Sequence, residues 1–431
     1  MGVEALQAGA SGVKPLPLKD RPWILLAAYD VSLGETSEGY VAFNILRRLV
    51  RSYRVVLLTR RNNRDRIITH PDFMEACKGV RVLGFDLPRW ASRWKRGARF
   101  YGLYAYLWQL VWPLVLRRRA RLCKGVRLIH VLNFHNDSIP TSAWAMSKPL
   151  IWGPLNHHEL VSSWRRKSWP VALAFKHRAL FFMRCLLWRV DPFLWISKRM
   201  AAVILSAGSW VDRRLGIERS GKVIRLSQLG VDAAAFPTTL TCKQSQRNPD
   251  KKLLIYAGRL DWLKGVDLAI ETLVHLPMNF NLMVVGKGPA ANKLKSLVEQ
   301  LGLGERVIFR PPVPRPELAR LYAGADVFLF TSPEVAGLAW IEALACGLPV
   351  AGFVGNTELA LSGGKLPGVY VAHPADDRPG HLRRYAEVIA HAAYAQHDPS
   401  KISTATLSRY SWDRMTNIIE GSYKKACGGL R

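Results

Sequence analysis

Cysteine is scarce in this chain of 431 residues, and its six cysteines form no recognisable pattern. None belongs to a C-x-x-C pair or stands at the spacing of a zinc site, so the sequence favours neither a disulfide scaffold nor a zinc module. We expect reduced, buried thiols in a cytosolic chain. The cysteines are Cys77, Cys123, Cys185, Cys242, Cys346 and Cys427.

Long apolar runs are also missing. The best uncharged run, YGLYAYLWQLVWPLVL at residues 101–116, contains a glutamine and a proline. It falls short of the roughly 20 apolar residues that a membrane-spanning helix needs. The segment from Met1 to Lys19 lacks the basic start and apolar core of a signal peptide. The sequence therefore predicts no transmembrane helix.

Acidic residues are few relative to basic ones. The chain has 62 Lys and Arg against 32 Asp and Glu, which gives a formal net charge of +30. The imbalance is concentrated in residues 1–235, which hold 39 basic and 15 acidic residues. Such asymmetry indicates an anionic partner for the first half, either a nucleic acid, membrane headgroups or a phosphorylated substrate.

Short apolar runs bounded by turn residues alternate with helical periodicity along most of the chain. This alternation is typical of βαβ units with buried parallel strands. We predict an α/β fold with two Rossmann-like, doubly wound parallel sheets and a cleft facing the carboxyl ends of both. The predicted strands are 22–29, 53–59, 81–85, 127–133, 149–153, 202–207 and 223–230 in the first half, and 253–258, 282–286, 306–310, 327–332, 349–353 and 369–372 in the second.

A polar segment without periodicity, residues 239–252, marks the expected boundary between the two domains. We predict an N-terminal extension over 1–20, a first domain over 21–238 and a second domain over 239–408. Residues 409–431 are expected to form a C-terminal helix that can cross back to the first domain.

Two basic residues share one strand-to-helix loop in the second half. Arg259 and Lys264 belong to the segment GRLDWLKG, directly after the strand predicted at 253–258. A guanidinium and an ammonium on one loop can clamp a diphosphate. Most such pairs on loops are simply solvated, so this signal needs support from its neighbours.

Two glutamates follow a later strand with seven residues between them. Glu334 falls in the loop after the strand predicted at 327–332, and Glu342 lies about one and a half turns into the next helix. Gly337 and Leu338 stand near the start of that helix, where free N–H groups and the helix dipole favour an anion. Taken in isolation, two glutamates at this spacing are more often surface charges.

The second half as a whole resembles the retaining GT-B glycosyltransferases of family 4, glycosyl transferases group 1, whose hallmark is E-x7-E. The resemblance extends from about Leu253 to Glu358. Weaker similarity is present in QLGVDAAAF (228–236) and RYSWDRM (409–415). Six segments that occur in the family's order make the resemblance specific, whereas a single segment would not. They are AGRLDWLKGVDLAIE, VVGKGP, LGLGERVIF, LYAGADVFLFTS, EVAGLAWIEALACGLPV and NTELAL.

The resemblance implies a nucleotide-diphosphate-sugar donor that is bound mainly by the second domain. In that arrangement Arg259 and Lys264 neutralise the diphosphate. Backbone N–H groups at Gly337 and Leu338 hold its distal phosphate, and Glu342 binds the ribose.

Further contacts to the donor are implied in the same way. Glu334 is expected to contact hydroxyls of the donor sugar, and Glu358 to stand near the diphosphate. A histidine of the first domain near the donor sugar corresponds to His157 or His158, of which we favour His157. This His-His pair is equally compatible with a metal site or a solvated loop. Ala336 departs from the family pattern, which usually has Phe or a similar residue there.

The family's paired glycines before the first helix correspond loosely to GETSEG, which makes Gly34 and Gly39 candidates for an N-domain loop at the site. No Asp-x-Asp pair, the metal-binding motif of glycosyltransferases of another fold, occurs in the chain. We therefore expect no metal and no cofactor. The two cations and the helix start would stabilise the charge that develops on the leaving diphosphate.

An acid-free stretch from Leu87 to Asn136 interleaves eleven basic residues with aromatic ones, and a second block of this kind runs from Ser163 to Val190. This pattern of basic and aromatic residues is typical of helices that lie in the interface of an anionic membrane. The alternatives are a core-packed helix over 103–116 with a solvated basic end, and nucleic-acid binding, for which no recognition motif is present. The residues predicted to contact the membrane are Trp108, Trp112, Arg117, Arg118, Arg119 and Arg121.

The resulting hypothesis is a retaining, metal-independent glycosyltransferase, bound peripherally to the inner face of the cell membrane. Its expected acceptor is a lipid-linked saccharide in bacterial exopolysaccharide or envelope-glycan assembly, and no nucleic acid is expected as a partner. Two alternatives remain open from the residues. One is a nucleotide-sugar epimerase of similar architecture, and the other is a non-catalytic basic scaffold that binds membrane or RNA.

Overall fold

The computed structural model of the chain describes residues 17–34, 37–95, 100–132, 137–156, 159–236, 250–333, 337–354, 359, 365–373 and 375–428. In the first half these residues form seven strands and eight α-helices. The strands are β1 (Trp23–Ala28), β2 (Arg54–Thr59), β3 (Arg81–Gly84), β4 (Val126–Leu132), β5 (Leu150–Leu155), β6 (Val203–Ser206) and β7 (Val223–Arg225). The helices are α1 (Ser37–Leu49), α2 (Arg61–Ile67), α3 (Pro71–Ala76), α4 (Tyr101–Arg118), α5 (Ser163–Arg166), α6 (Val171–Val190), α7 (Pro192–Met200) and α8 (Ser209–Leu215).

In the second half the described residues form six strands and seven α-helices. The strands are β8 (Lys252–Ala257), β9 (Phe280–Val285), β10 (Val307–Arg310), β11 (Val327–Phe330), β12 (Val350–Phe353) and β13 (Val369–Ala372). The helices are α9 (Val266–Thr272), α10 (Ala291–Gln300), α11 (Arg315–Ala323), α12 (Leu338–Ala345), α13 (Arg378–Tyr394), α14 (Pro399–Tyr410) and α15 (Trp412–Ala426).

The described chain divides into two compact units. The first contains β1–β7 with α1–α4, α7, α8 and α15, and the second contains β8–β13 with α5 and α9–α14. Helix α6 is divided between them after Met183. The first domain predicted over 21–238 therefore includes residues that belong to the second unit, namely 159–183 and 229–236. Helix α15 packs with the first unit.

The first unit is built on a seven-stranded parallel sheet with strand order β3-β2-β1-β4-β5-β6-β7. Its central strands are continuous apolar runs, as expected for a parallel sheet covered on both faces. Five of the six residues of β1, for example, are fully buried. The order reverses at β1, which lies between β2 and β4, so the crevice of this sheet opens beyond β1.

The C-terminal helix α15 closes the first unit. Its Tyr423 is fully buried, and the hydroxyl lies 2.7 Å from Nδ1 of the buried His130 on β4. Burial lowers the pKa of His130 to about 4, so the imidazole is neutral at physiological pH. On the other side, Arg48 of α1 donates to Asp413 at 2.8 Å. Two elements at opposite ends of the chain therefore share one core.

The second unit is built on a six-stranded parallel sheet with order β10-β9-β8-β11-β12-β13. Each of the thirteen strands overlaps the segment predicted for it, with the largest difference at β7, which ends five residues before the predicted Gly230. The prediction of two doubly wound parallel sheets is confirmed, because buried apolar runs between turn residues identify such strands directly.

Helix α4 corrects one prediction. Trp108 and Trp112, predicted to contact a membrane, are both fully buried in the core of the first unit. The indole of Trp108 donates to the carbonyl of Phe85 at 2.8 Å, and that of Trp112 donates to Oε1 of Gln109 at 3.1 Å. These side chains pack inward because the core supplies both apolar contacts and a partner for each N–H. The alternative of a core-packed helix holds for α4.

The basic end of the same helix is exposed. Arg117, Arg118, Arg119 and Arg121 all lie on the surface of the first unit. Within the described ranges no helix is long and apolar enough to cross a membrane. The five cysteines that the structure describes form no disulfide, and Cys242 lies outside the described residues.

Candidate functional site

The second sheet reverses its direction of winding between β8 and β11. These strands are parallel neighbours, with β9 and β10 on one side and β12 and β13 on the other. Loops that leave the carboxyl ends of such a pair diverge to opposite faces and leave a crevice in which α/β sheets bind ligands. Their described residues are 258–265 after β8, and 331–333 with 337 after β11.

The loop after β8 carries both predicted cations. Arg259 is exposed, and its Nε lies 3.2 Å from Asp261. The Asp261 side chain accepts from the backbone N–H of Lys264 at 3.2 Å, which caps the short 3-10 helix Trp262–Lys264. Gly265 then turns the chain with φ of +69°, a left-handed conformation that favours glycine. Capping and turn together fix the backbone that presents Arg259 and Lys264.

The two loops contact each other directly. The hydroxyl of Thr331, just after β11, donates to the carbonyl of Lys264 at 3.0 Å. A Cβ on Gly265 would lie only 2.7 Å from the carbonyl oxygen of Thr331, so only glycine permits this approach. The structure therefore brings Lys264 against the segment that leads to Glu334.

A second close approach explains the glycines of VVGKGP after β9. A Cβ on Gly286 would lie 1.9 Å from the carbonyl oxygen of Gly258, and one on Gly288 would lie 2.2 Å from that of Leu260. The backbone of this turn packs directly on the loop after β8. The glycines are needed for that packing, which supports the loop that contains Arg259 and Lys264.

The start of α12 lies at the same sheet edge. Leu338 is the first residue of this helix, and its N-cap residue is Gly337, which is extended and has no side chain that could cap the helix. The first turn of a helix has N–H groups without intrahelical partners, together with the positive end of the helix dipole. These groups can therefore bind an anion.

Glu342 lies one turn further into α12 and is buried. Its Oε1 accepts from Nε of Arg315 at 3.4 Å. Burial raises the pKa of Glu342, and the Arg315 charge offsets part of that rise. The partly exposed Arg315 thus keeps a buried carboxylate tied to the start of α11.

Arg165, in the segment that precedes α6, binds the loop after β11. Its guanidinium is buried and donates to the carbonyl of Thr331 at 2.6 Å, above the ring of Phe353 at 4.6 Å. Burial lowers the pKa of Arg165 to about 10, still far above neutrality. Nearby, Trp164 stacks on His381 at 3.9 Å, and Ser168 donates to Asp267 at 2.7 Å.

The remaining predicted residues are placed as follows. Gly34 is exposed in the loop after β1, and Gly39 is buried in the first turn of α1. Both follow the strand at which the first sheet reverses its winding. Glu334, Ala336, Glu358, His157 and His158 lie outside the described residues. Among the residues that the structure does describe, no cluster of three or more His, Cys, Asp or Glu could hold a metal.

Sequence reasoning missed Arg165 and Arg315. Arg165 stands in the basic block 163–190, for which the sequence predicts membrane contact, and its partner is 166 positions away in the chain. No local pattern connects the two. Arg315 lies in the segment RPPVPRPE, and only the position of α11 beside α12 reveals its contact with Glu342.

Comparison with known proteins points to one family. Residues 239–357 match the family model described as glycosyl transferases group 1. The D-inositol 3-phosphate glycosyltransferase of Mycolicibacterium paratuberculosis is 33% identical over 185 residues, covering 41% of each protein. The enzyme of that name from Paenarthrobacter aurescens is 31% identical over 215 residues, covering 47% of this chain and 51% of its own length. The chain thus spans only about two fifths to one half of these curated relatives.

Solved structures resemble the chain over nearly its whole length. Sucrose-phosphate synthase from Thermosynechococcus elongatus has a TM-score of 0.65 at 18% identity, covering 94% of this chain and 99% of its own. Anabaena HepE, solved in complex with UDP and glucose, has a TM-score of 0.61 at 15% identity, covering 94% and 100%. At such identities the likeness concerns the fold. Residues 239–357 therefore belong to the glycosyl transferases group 1 family, within a chain that has the two-domain GT-B fold.

Proposed function

We propose that this chain is a glycosyltransferase that transfers a sugar from a nucleotide-diphosphate-sugar to a saccharide acceptor. One observation carries the proposal. The segment that matches the family model also holds Arg259, Lys264 and the start of α12, on loops that leave neighbouring strands and contact each other. HepE, which shares the fold, was solved with UDP-glucose as well as with UDP and glucose.

In this proposal the nucleotide diphosphate lies at the carboxyl edge between β8 and β11. Arg259 and Lys264 neutralise the diphosphate, while N–H groups at Gly337 and Leu338 bind the distal phosphate. Glu342 accepts a hydrogen bond from a ribose hydroxyl. Its buried position gives that bond strength, because little water competes for the carboxylate.

The reaction breaks the bond between the anomeric carbon and the diphosphate oxygen, and forms a bond from that carbon to an acceptor oxygen. The acceptor proton leaves with the departing diphosphate or passes to solvent. Negative charge develops on the leaving group, and the two cations with the helix start stabilise it. We propose that this set serves in place of a metal ion, in keeping with a sequence without Asp-x-Asp. Retention of configuration is part of the proposal.

Contacts to the sugar itself are assigned to Glu334, for its hydroxyls, and to His157 of the first domain. Glu358 is assigned to the neighbourhood of the diphosphate. These three assignments rest on the family resemblance of the surrounding segments, EVAGLAWIEALACGLPV, NTELAL and WGPLNHHEL.

The proposed acceptor is a lipid-linked saccharide of bacterial exopolysaccharide or envelope-glycan assembly, and the proposed location is the inner face of the cell membrane. The excess of basic residues in the first half supports both proposals, since anionic lipid attracts such a surface. The exposed arginines at the end of α4 belong to that excess.

Binding of nucleotide tests the donor site first. UDP, GDP and ADP are added separately, and the thermal midpoint is measured, since a ligand of the native state raises it. One nucleotide should stabilise the protein. Arg259→Ala combined with Lys264→Ala should weaken its binding by about a hundredfold or more, because each charge-assisted contact contributes about 1.5–3 kcal/mol. A matched control removes two exposed cations of the same unit, Lys295→Ala with Arg320→Ala.

Transfer itself is tested with a panel of nucleotide-sugars and a lipid extract of the source organism. A labelled sugar should move into the lipid fraction, and Glu334→Ala should abolish that transfer. Transfer that survives Glu334→Ala would contradict the assigned site. Conversion of the donor sugar into an isomer without acceptor would indicate an epimerase. The absence of a shift with every nucleotide would indicate a non-catalytic scaffold.

A further inference from the structure

Helix α6 leaves a line of large apolar side chains in solvent. Phe175 is 74% exposed and Leu186 is 59% exposed. The complete line is Val171, Phe175, Phe182, Met183, Leu186 and Val190. Contiguous apolar surface of this kind marks an interaction site.

These six residues share one face of the helix. At about 100° per residue, all of them fall within an arc of about 120°. The opposite side packs against the protein. It includes Trp188, which is buried and carries the guanidinium of Arg214 over its ring at 4.0 Å. The helix is therefore anchored on one side and unpartnered on the other.

The charges around the apolar line all have one sign. Lys176, Arg178 and Arg189 are exposed, and on a helical projection they lie within or beside the arc of apolar residues. From residue 160 to residue 190 the sequence contains no acidic residue. Apolar side chains that project from a helix among basic ones match the interface of a bilayer with anionic headgroups.

We propose that this face of α6 is the membrane-binding surface of the protein and lies flat in the headgroup region of an anionic lipid bilayer. The inference rests on the peripheral membrane location proposed above and adds the surface that makes the contact. A second copy of the chain is a poorer fit. A two-fold contact would set the same basic residues of both copies against each other.

The following helix continues this surface along the chain. Phe193, Trp195, Ile196 and Met200 of α7 are exposed, and Arg199 beside them is exposed as well. Indole rings prefer the depth of the lipid headgroups, which suits Trp195. Insertion across the bilayer is excluded for α6, because four basic residues, Lys176, Arg178, Arg184 and Arg189, are distributed along its length.

Flotation with vesicles tests the surface. The full chain is mixed with vesicles of phosphatidylcholine alone or of phosphatidylcholine with phosphatidylglycerol. It should float with the anionic vesicles only, and less so at high salt. The variant Phe175→Ser, Phe182→Ser, Leu186→Ser should bind the anionic vesicles roughly tenfold or more weakly, because three apolar side chains no longer enter the bilayer. Its thermal midpoint should stay close to that of the unmodified chain.

The matched control changes exposed leucines of α4, with Leu103→Ser and Leu114→Ser, each of which is half exposed. It should float like the unmodified chain. Equal flotation of the α6 variant and the unmodified chain would overturn the assigned surface. Failure of the unmodified chain to float would overturn the membrane location as well. A dimer in lipid-free solution that the α6 substitutions dissociate would identify a second copy as the occupant and also overturn the inference.

Discussion

Helices α4 and α6 are built from similar residues and have opposite surroundings. Both are long, rich in large apolar side chains, free of acidic residues and basic at their C-terminal ends. In α4 the aromatic residues Tyr104, Trp108 and Trp112 face the core of the first unit. In α6 only Trp188 is buried, and a line of phenylalanine, leucine and other apolar side chains meets the solvent.

The polar atoms of the aromatic residues distinguish the two helices. The hydroxyl of Tyr104 donates to Asp86 at 2.7 Å, and the indoles of Trp108 and Trp112 each donate to an oxygen nearby. Such residues can be fully buried because their N–H and O–H groups are satisfied. The exposed apolar residues of α6 have no polar side-chain atoms and depend on no such partner. Tryptophan and tyrosine in an aromatic, basic segment should therefore be considered apart from phenylalanine when one predicts whether the segment is buried or exposed.

The largest expected effect is the loss of a buried indole from α4. Trp108→Ala should lower the free energy of unfolding by about 3–5 kcal/mol, because a large cavity replaces a close-packed ring. Denaturant unfolding measures this change. Phe182→Ala on α6 is the matched control, and its effect should stay within about 0.5 kcal/mol, since the ring is already exposed. Equal changes in the free energy of unfolding for the two substitutions would contradict the burial of Trp108 on α4 and the exposure of Phe182 on α6.

A second prediction concerns the segment that anchors α6 at its N-terminal side. Arg165→Met should cost about 1–3 kcal/mol, because it leaves the buried carbonyl of Thr331 without its donor. It should also weaken nucleotide binding, since Thr331 holds the carbonyl of Lys264. Both are measured by thermal denaturation with and without nucleotide.

The control for Arg165 is Lys167→Met, which removes a neighbouring exposed charge. It should change neither the stability nor the shift caused by nucleotide. If Arg165→Met behaved like this control, the segment would have no part in positioning the loop after β11.

A smaller effect is expected for the bond between α4 and the start of α7. The hydroxyl of Tyr106 donates to Asp191 at 2.9 Å, and Asp191 also caps α7. Tyr106→Phe should therefore cost about 0.5–1.5 kcal/mol in denaturant unfolding. The same substitution at the partly exposed Tyr101 should cost less, and a reversed order would contradict the geometry of this contact.

The smallest effect on folding is expected at the basic end of α4. Replacement of Arg117, Arg118, Arg119 and Arg121 by glutamine should leave the free energy of unfolding within about 0.5 kcal/mol, because all four are exposed. Vesicle flotation should weaken through the reduced net charge, but less than for the α6 variant. If this variant lost more vesicle binding than the α6 variant, the main membrane contact would be assigned to α4 and not to α6.

The strands, their parallel pairing and the position of the cation-bearing loop were predictable from the sequence. Buried apolar runs identify strands such as β1 and β8 directly, and glycines identify the turns that follow β8 and β9. The start of α12 at Leu338 was predictable as well, because Gly337 precedes an apolar helical run. These features are local, and a short segment contains the physical information that determines them.

Long-range partners were not predictable. Whether Trp108 faces a core or a lipid depends on the carbonyl of Phe85, and the burial of Arg165 depends on Thr331, far along the chain. Both blocks combine aromatic with basic residues and lack acidic ones, and that shared pattern does not show which of them packs into a core. The assignments of Glu334, Glu358 and His157 remain predictions.

The division of the chain between the two units has a consequence for its synthesis on the ribosome. The first unit begins with β1 but contains α15, whose Tyr423 fills the space beside His130. Its core therefore stays open until α15 has been translated, whereas the second unit ends at residue 411. Domains usually fold as they emerge, starting from the N-terminus. In this protein the unit that is started first is completed last, and a chain truncated before α15 would present an unfinished N-terminal core.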